Sequence, residues 1–129
     1  MGPVLNPIVS VVVPTCNRID TLPEVLAALA GQEGAPDFEV IVVDDGSTDD
    51  TPRWLAARAP SSLALSSLRQ RNRGPAAARN AGVAVARGRL VAFLGDDTVP
   101  SAGWLRRLHG ALERRGDPAA AVIGRTEWH

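Results

Sequence analysis

Three apolar runs constrain the fold most: "PIVSVVVP" at 7–14, "FEVIVV" at 38–43 and "RLVAFL" at 89–94, each followed by polar residues and then by a helical pattern. The runs are short and rich in β-branched residues, and they lack the polar alternation of a half-exposed strand. They therefore read as strands buried on both faces, as in parallel sheets.

Between them lie the connecting helices. In "TLPEVLAALAGQ", Thr21 and Glu24 have capping-box spacing, Leu22, Val25, Leu26 and Leu29 share one face, and Gly31 is a stop. "TPRWLAARA" carries Pro52 at a first turn. "SSLALSSLRQ" alternates weakly and reads as a poorer strand near an edge. Alanine-rich sequence predicts a helix over about 75–87. "SAGWLRRLHGALERRG" predicts an amphipathic helix with Trp104, Leu105, Leu108 and Leu112 inward, and "AAAVIG" at 119–124 a last strand. Strand alternating with helix implies an α/β fold, a mostly parallel sheet with helices on both faces. We expect an extension at 1–7, one domain at 8–124 and a tail at 125–129.

At 129 residues the chain is long enough for one core, and its 14 basic and 14 acidic residues cancel. That balance gives no overall reason to seek nucleic acid or an anionic membrane. One cysteine, Cys16, excludes an internal disulfide and mildly favours a reduced cytoplasm. No stretch approaches the ~20 apolar residues of a membrane span, and the N-terminus lacks signal-peptide features. The expectation is a soluble, cytoplasmic chain.

Ligands of such sheets bind outside the carboxyl ends of the strands. Three loops fall there: "PTCNR", "DDGSTDD" and "GDDTVP". Asp44–Asp45 and Asp96–Asp97 each follow an apolar run directly, so both pairs belong to one rim. Helix capping or a turn would explain either pair alone, and two on one rim favour a ligand. Adjacent side chains of an extended segment point to opposite faces, so one aspartate of the second pair would bind a metal and the other something else. Mg²⁺ or Mn²⁺, completed by phosphate oxygens and water, suits such carboxylates, and there is no zinc-like Cys/His set. Among Arg69, Arg71, Arg73 and Arg79, Arg79 is the best phosphate candidate because it lies in the first turns of a helix. No P-loop and no dinucleotide fingerprint occurs. A phosphoacceptor receiver domain would need a lysine, and the chain has none.

Four stretches together, "VSVVVPTCNR", "EVIVVDDGSTDDT", "RNRGPAAARNAGVAVARG" and "LVAFLGDDTVP", resemble the nucleotide-sugar-binding half of the inverting family 2 glycosyltransferases of GT-A, Rossmann-like fold. The resemblance spans about 8–124. It implies transfer of a sugar from a UDP-, GDP- or dTDP-sugar donor to an acceptor hydroxyl with inversion, using Mg²⁺ or Mn²⁺. By position it implies that Pro14, Thr15, Asn17 and Arg18 surround the base, that Asp45 binds it, and that Asp44 and Ser47 support that loop. Arg79 would approach the diphosphate, Asp96 would lie against the ribose or sugar as well as beside the metal, and Asp97 would be the metal ligand.

The chain departs from the family pattern in three places. Gly95 stands where many relatives have a third aspartate, Cys16 where an aromatic is common, and no residue matches the family's catalytic base, which is expected beyond residue 129. Cys16 reads as an inert packing residue. A catalytically silent nucleotide-binding or interaction module of the same fold is the alternative, and a homodimer through an uncovered apolar face is a further expectation.

Overall fold

The computed structural model describes residues 6–117. Within them strands and helices alternate as β1 (Val9–Thr15), α1 (Leu22–Ala30), β2 (Phe38–Asp44), α2 (Thr51–Arg58), β3 (Leu65–Arg69), α3 (Pro75–Val85), β4 (Leu90–Phe93) and α4 (Trp104–Arg115). All pairings are parallel, in the order β3-β2-β1-β4. The strand expected at 119–124 and the tail at 125–129 lie outside the described residues.

Alternate residues of the two central strands point to opposite layers. Val11, Val13, Val40 and Val42 pack with Leu22, Val25, Leu26 and Leu29 of α1, Leu55 of α2 and Leu105 of α4. Val12, Ile41 and Val43 form the other cluster with Ala78 of α3. The expected α/β architecture is present, with α3 the one helix among the described residues that contributes to the second layer's buried cluster. All of these residues are almost completely removed from water. Each such side chain contributes roughly 1.5–3 kcal/mol, which makes β1 and β2 the rigid centre.

Three local expectations change. Thr21 does occupy the N-cap of α1, but its side chain makes no capping bond; its hydroxyl donates instead to the Asp96 carbonyl oxygen at 2.8 Å. β4 is not buried on both faces: Val91 is 38% and Phe93 50% exposed. Phe93 stands opposite Val12 and Val91 opposite Ser10, so the exposed pair faces the α3 side, where β4 is an edge among the described residues. In α4 only Leu105 is fully buried, while Trp104, Leu108 and Leu112 are half-buried. The weak strand at 65–69 is an edge among the described residues, as its composition predicts.

Two close fits set the second layer. A Cβ at Gly82 of α3 would fall inside the Val12 side chain and 3.3 Å from Val43 Cγ2, so the helix rests on the sheet at a distance only glycine permits. At the amino ends of the strands, Ser10 Oγ donates to Glu39 Oε2 at 2.6 Å, and the Arg87 N–H and Nε donate to the same carboxylate at 2.8 and 3.1 Å. Gly88 N–H donates to Ser10 Oγ at 2.8 Å, which fastens the α3–β4 connection to β1. Burial alone would raise the Glu39 carboxyl, but the bonds from Ser10 and Arg87, together with the Arg87 charge, outweigh it and hold it below the ordinary glutamate range.

Gly82→Ala gains up to about 1 kcal/mol of helix propensity but costs about 1–3 kcal/mol of overpacking. A net loss of stability in urea denaturation is expected; an unchanged or raised midpoint contradicts the close fit. The Glu39 contribution to stability is complete above the unfolded value of about 4.3 and is lost as pH falls through its lower folded value. Glu39→Gln should therefore flatten the acid limb of the stability–pH curve, and a variant that keeps the full wild-type slope rules this carboxylate out as its source.

Candidate functional site

The carboxyl ends of β1, β2 and β4 and the start of α3 enclose an open cleft of about 320 Å³. Pro14, Thr15, Cys16 and Arg18 line it from the first loop, Asp45 from the end of β2, Pro75, Ala78 and Arg79 from α3, and Gly95, Asp96 and Asp97 from the loop after β4. Parallel pairing accounts for the convergence: Thr15 pairs with Asp44, and Val12 with Phe93, so all three strands deliver their following residues to one rim.

Asp44 and Asp45 are 2% and 4% exposed, and each is held by specific donors. Asp44 accepts from Arg69 Nη1 at 2.6 Å and from the Ser47 N–H at 2.9 Å. Arg69 also donates to the Ser47 carbonyl at 2.9 Å. Arg69 is therefore committed to the 44–47 loop. Asp45 Oδ1 accepts from Gln70 Nε2 and the Arg73 N–H, both at 2.8 Å, and Oδ2 accepts from the Gly74 N–H at 3.0 Å. The Gln70 bond, reinforced by the two backbone donors against the opposing effect of burial, holds the Asp45 carboxyl below its ordinary value.

Asn17 adopts a left-handed conformation with φ 54°. Its side-chain oxygen accepts from the Thr48 and Asp49 N–H groups at 2.7 and 3.1 Å, and its own N–H donates to Ser47 Oγ at 2.9 Å. Asn17, Ser47 and Asp44 therefore join the first two loops, while Pro14, Thr15, Arg18, Asp45, Arg79, Asp96 and Asp97 stand on the cleft wall. Thr15 Oγ1 is buried there without a hydrogen-bond partner. Cys16, expected as a packing residue, is half-buried on that wall and accepts a weak bond from Asn72 Nδ2 at 3.4 Å.

The second acidic pair differs from the first. Asp97 is exposed and Asp96 half-exposed, and among the described residues the one bond to either carboxylate is a marginal 3.5 Å contact from Thr98 Oγ1 to Asp97. A Cβ at position 95 would lie 3.1 Å from Thr98 Oγ1 and 3.2 Å from Asp97 Oδ1, so glycine lets this turn close tightly. Among the described residues no group of three or more His, Cys, Asp or Glu converges as a metal cage. Two open carboxylates fit a hard cation that takes its remaining ligands from phosphate and water.

Sequence reasoning missed Gln32 and Gln70. Gln32 Nε2 donates to the Ser101 carbonyl at 2.7 Å and its Oε1 accepts from the Leu105 N–H at 2.9 Å, linking the end of α1 to the start of α4. A lone glutamine after a helix stop carries no signal for such a contact, and neither does Gln70 after an edge strand.

The sequence matches glycosyl transferase family 2 over residues 10–128, and the chain belongs to that family. It is similar to the succinoglycan biosynthesis protein ExoO of Rhizobium meliloti, with 42% identity over 117 residues covering 91% of this chain and 32% of that protein. It is 41% identical over 120 residues to validoxylamine A glucosyltransferase of Streptomyces hygroscopicus subsp. limoneus, covering 91% of this chain and 26% of that protein. Among solved structures, S. aureus TarS 1–349 in complex with UDP-GlcNAc superposes with a TM-score of 0.75 at 31% identity, covering 84% of this chain and 32% of TarS 1–349. The mannosyltransferase PcManGT from Pyrobaculum calidifontis, in complex with GDP-Man and Mn²⁺, superposes with a TM-score of 0.71 at 34% identity, covering 90% of this chain and 34% of that one. The fold is GT-A, and the chain spans about a third or less of the length of these relatives.

Arg69→Ala should cost about 1–3 kcal/mol in urea denaturation, because it leaves the buried Asp44 carboxylate without its charged donor. A change within a few tenths of a kcal/mol would show that Ser47 alone satisfies Asp44.

Proposed function

We propose that this chain is the donor-binding domain of an inverting glycosyltransferase that holds a nucleoside diphosphate sugar through a divalent cation. The observation that carries this reading is the contrast at the rim: Asp45 is enclosed by donors, whereas Asp96 and Asp97 are left open in the same cleft as Arg18 and Arg79. The donors bound to the superposed TarS and PcManGT structures support it.

The first loop and Asp45 form the base end. Among the described residues Asp45 Oδ2 accepts from one donor and so keeps a lone pair for an N–H of the base, and the orphaned Thr15 Oγ1 offers a second polar contact. Arg79, one turn into α3, contributes positive charge beside the helix N-terminus, where a diphosphate is favoured. Asp97 is assigned to Mg²⁺ or Mn²⁺, and Asp96 to the ribose or donor sugar beside it. When bound, the cation offsets the charge that develops on the departing diphosphate. Inversion requires a carboxylate to take the acceptor proton from the opposite side. Among the described residues the cleft wall carries Asp45, Asp96 and Asp97 as its carboxylates, all assigned to the donor side. That inventory favours binding over turnover by these residues alone and keeps a silent nucleotide-binding module as the second reading.

Calorimetric titration with UDP, GDP and dTDP, with and without Mn²⁺, tests the proposal. One nucleotide should bind with Mn²⁺ dependence, and Asp97→Ala should abolish that dependence while sparing metal-free binding. Failure of every nucleotide to bind rejects both readings. Sugar transfer or donor hydrolysis by the full-length gene product separates the enzyme from the silent module.

A further inference from the structure

We infer that Thr21 is a positioning residue for the acidic turn, acting from α1 through the backbone of Asp96. The inference rests on the donor-site reading above and names a residue outside the cleft wall.

Thr21 occupies the position where a threonine ordinarily caps its own helix, yet it makes no such bond. Its backbone is fixed from both sides: the Thr21 N–H donates to the Arg18 carbonyl at 3.1 Å, and its own carbonyl accepts from Glu24 and Val25 N–H at 3.2 and 3.3 Å. From that anchored base, Oγ1 reaches 75 positions along the chain to the Asp96 carbonyl at 2.8 Å. A peptide unit is planar, so holding the Asp96 carbonyl orients the plane that ends at the Asp97 Cα, and with it the point from which each carboxylate projects.

The turn has little else to hold it. Within it, Thr98 N–H donates to the Gly95 carbonyl at 3.3 Å, and Thr98 Oγ1 lies 3.5 Å from Asp97 Oδ1, both long contacts. At the far end of the segment, Gln32 grips Ser101 and Leu105, so α1 holds the connection between β4 and α4 at two places. Thr21 is the grip nearer the carboxylates. A carboxylate pair that must meet a cation and a ribose or sugar hydroxyl together depends on such preorganisation, because any freedom left in the turn is lost on binding.

The test compares wild type with Thr21→Val, which keeps the shape and removes the hydroxyl, and Thr21→Ser, which restores it. Hydrogen exchange on the ligand-free protein reads the turn directly. Thr21→Val should speed exchange of the Thr98 amide, the one amide bonded across the turn among the described residues, about tenfold, with β1 and β2 unchanged. Calorimetry with UDP and GDP should show Mn²⁺-supported affinity weakened about tenfold and metal-free affinity unchanged. Thr21→Ser should return both to wild type. Wild-type exchange in Thr21→Val overturns the inference and leaves the donor-site reading intact, and so does a uniform loss of protection across β1 and β2, which marks a purely structural role. Absence of Mn²⁺-dependent binding in the wild type overturns the donor-site reading, and with it the functional meaning of the grip.

Discussion

The rim of this domain is organised by two neighbouring carboxylates at the end of β2 that are almost entirely withdrawn from water. A charge in that position is expensive unless hydrogen bonds replace its hydration. Asp44 draws Arg69 and the Ser47 amide to itself, and Asp45 draws Gln70 and the amides that lead into α3. The needs of these two side chains thus shape three connections: the 44–50 loop, the end of β3 and the entry to α3. Asn17 extends the same network to β1 by accepting amides of the second loop.

The pair after β4 has the opposite character, although its residues are identical. Asp96 and Asp97 keep their exposure, and their turn is held by its backbone, through Thr21 and the Gly95–Thr98 contact. The first pair is enclosed by donors from the fold, with one Asp45 oxygen still able to accept a further bond, whereas the second pair stands open to the cleft. Sequence alone presents "DD" twice in the same context, so the difference in what surrounds each pair carries the functional distinction.

The strands and helices were legible because their patterns are local: β-branched runs between helical periodicities permit little but a parallel sheet. The second acidic loop was placed correctly on the rim for the same reason. What remained hidden depended on partners distant in sequence. Thr21 resembles a capping residue because Glu24 follows three positions later, and only the fold brings Asp96 near enough to take its hydroxyl instead. Arg69, one of four arginines that the sequence offers as phosphate candidates, is bound instead to the buried carboxylate of Asp44. β4 reads as fully buried because its residues are apolar, yet exposure depends on what covers an edge, and Val91 and Phe93 are open on the α3 side among the described residues.

The contact between Gly82 and Val12 reaches further than the packing of one helix. Ala78 lies one turn earlier on α3 in the buried cluster and also on the cleft wall, with Arg79 beside it. A rigid helix transmits the height at which it sits, so the missing side chain at position 82 acts as a spacer of zero thickness. The width of the cleft is thereby gauged in the apolar layer beneath it, and a substitution outside the cleft wall would shift the reach of the arginine above.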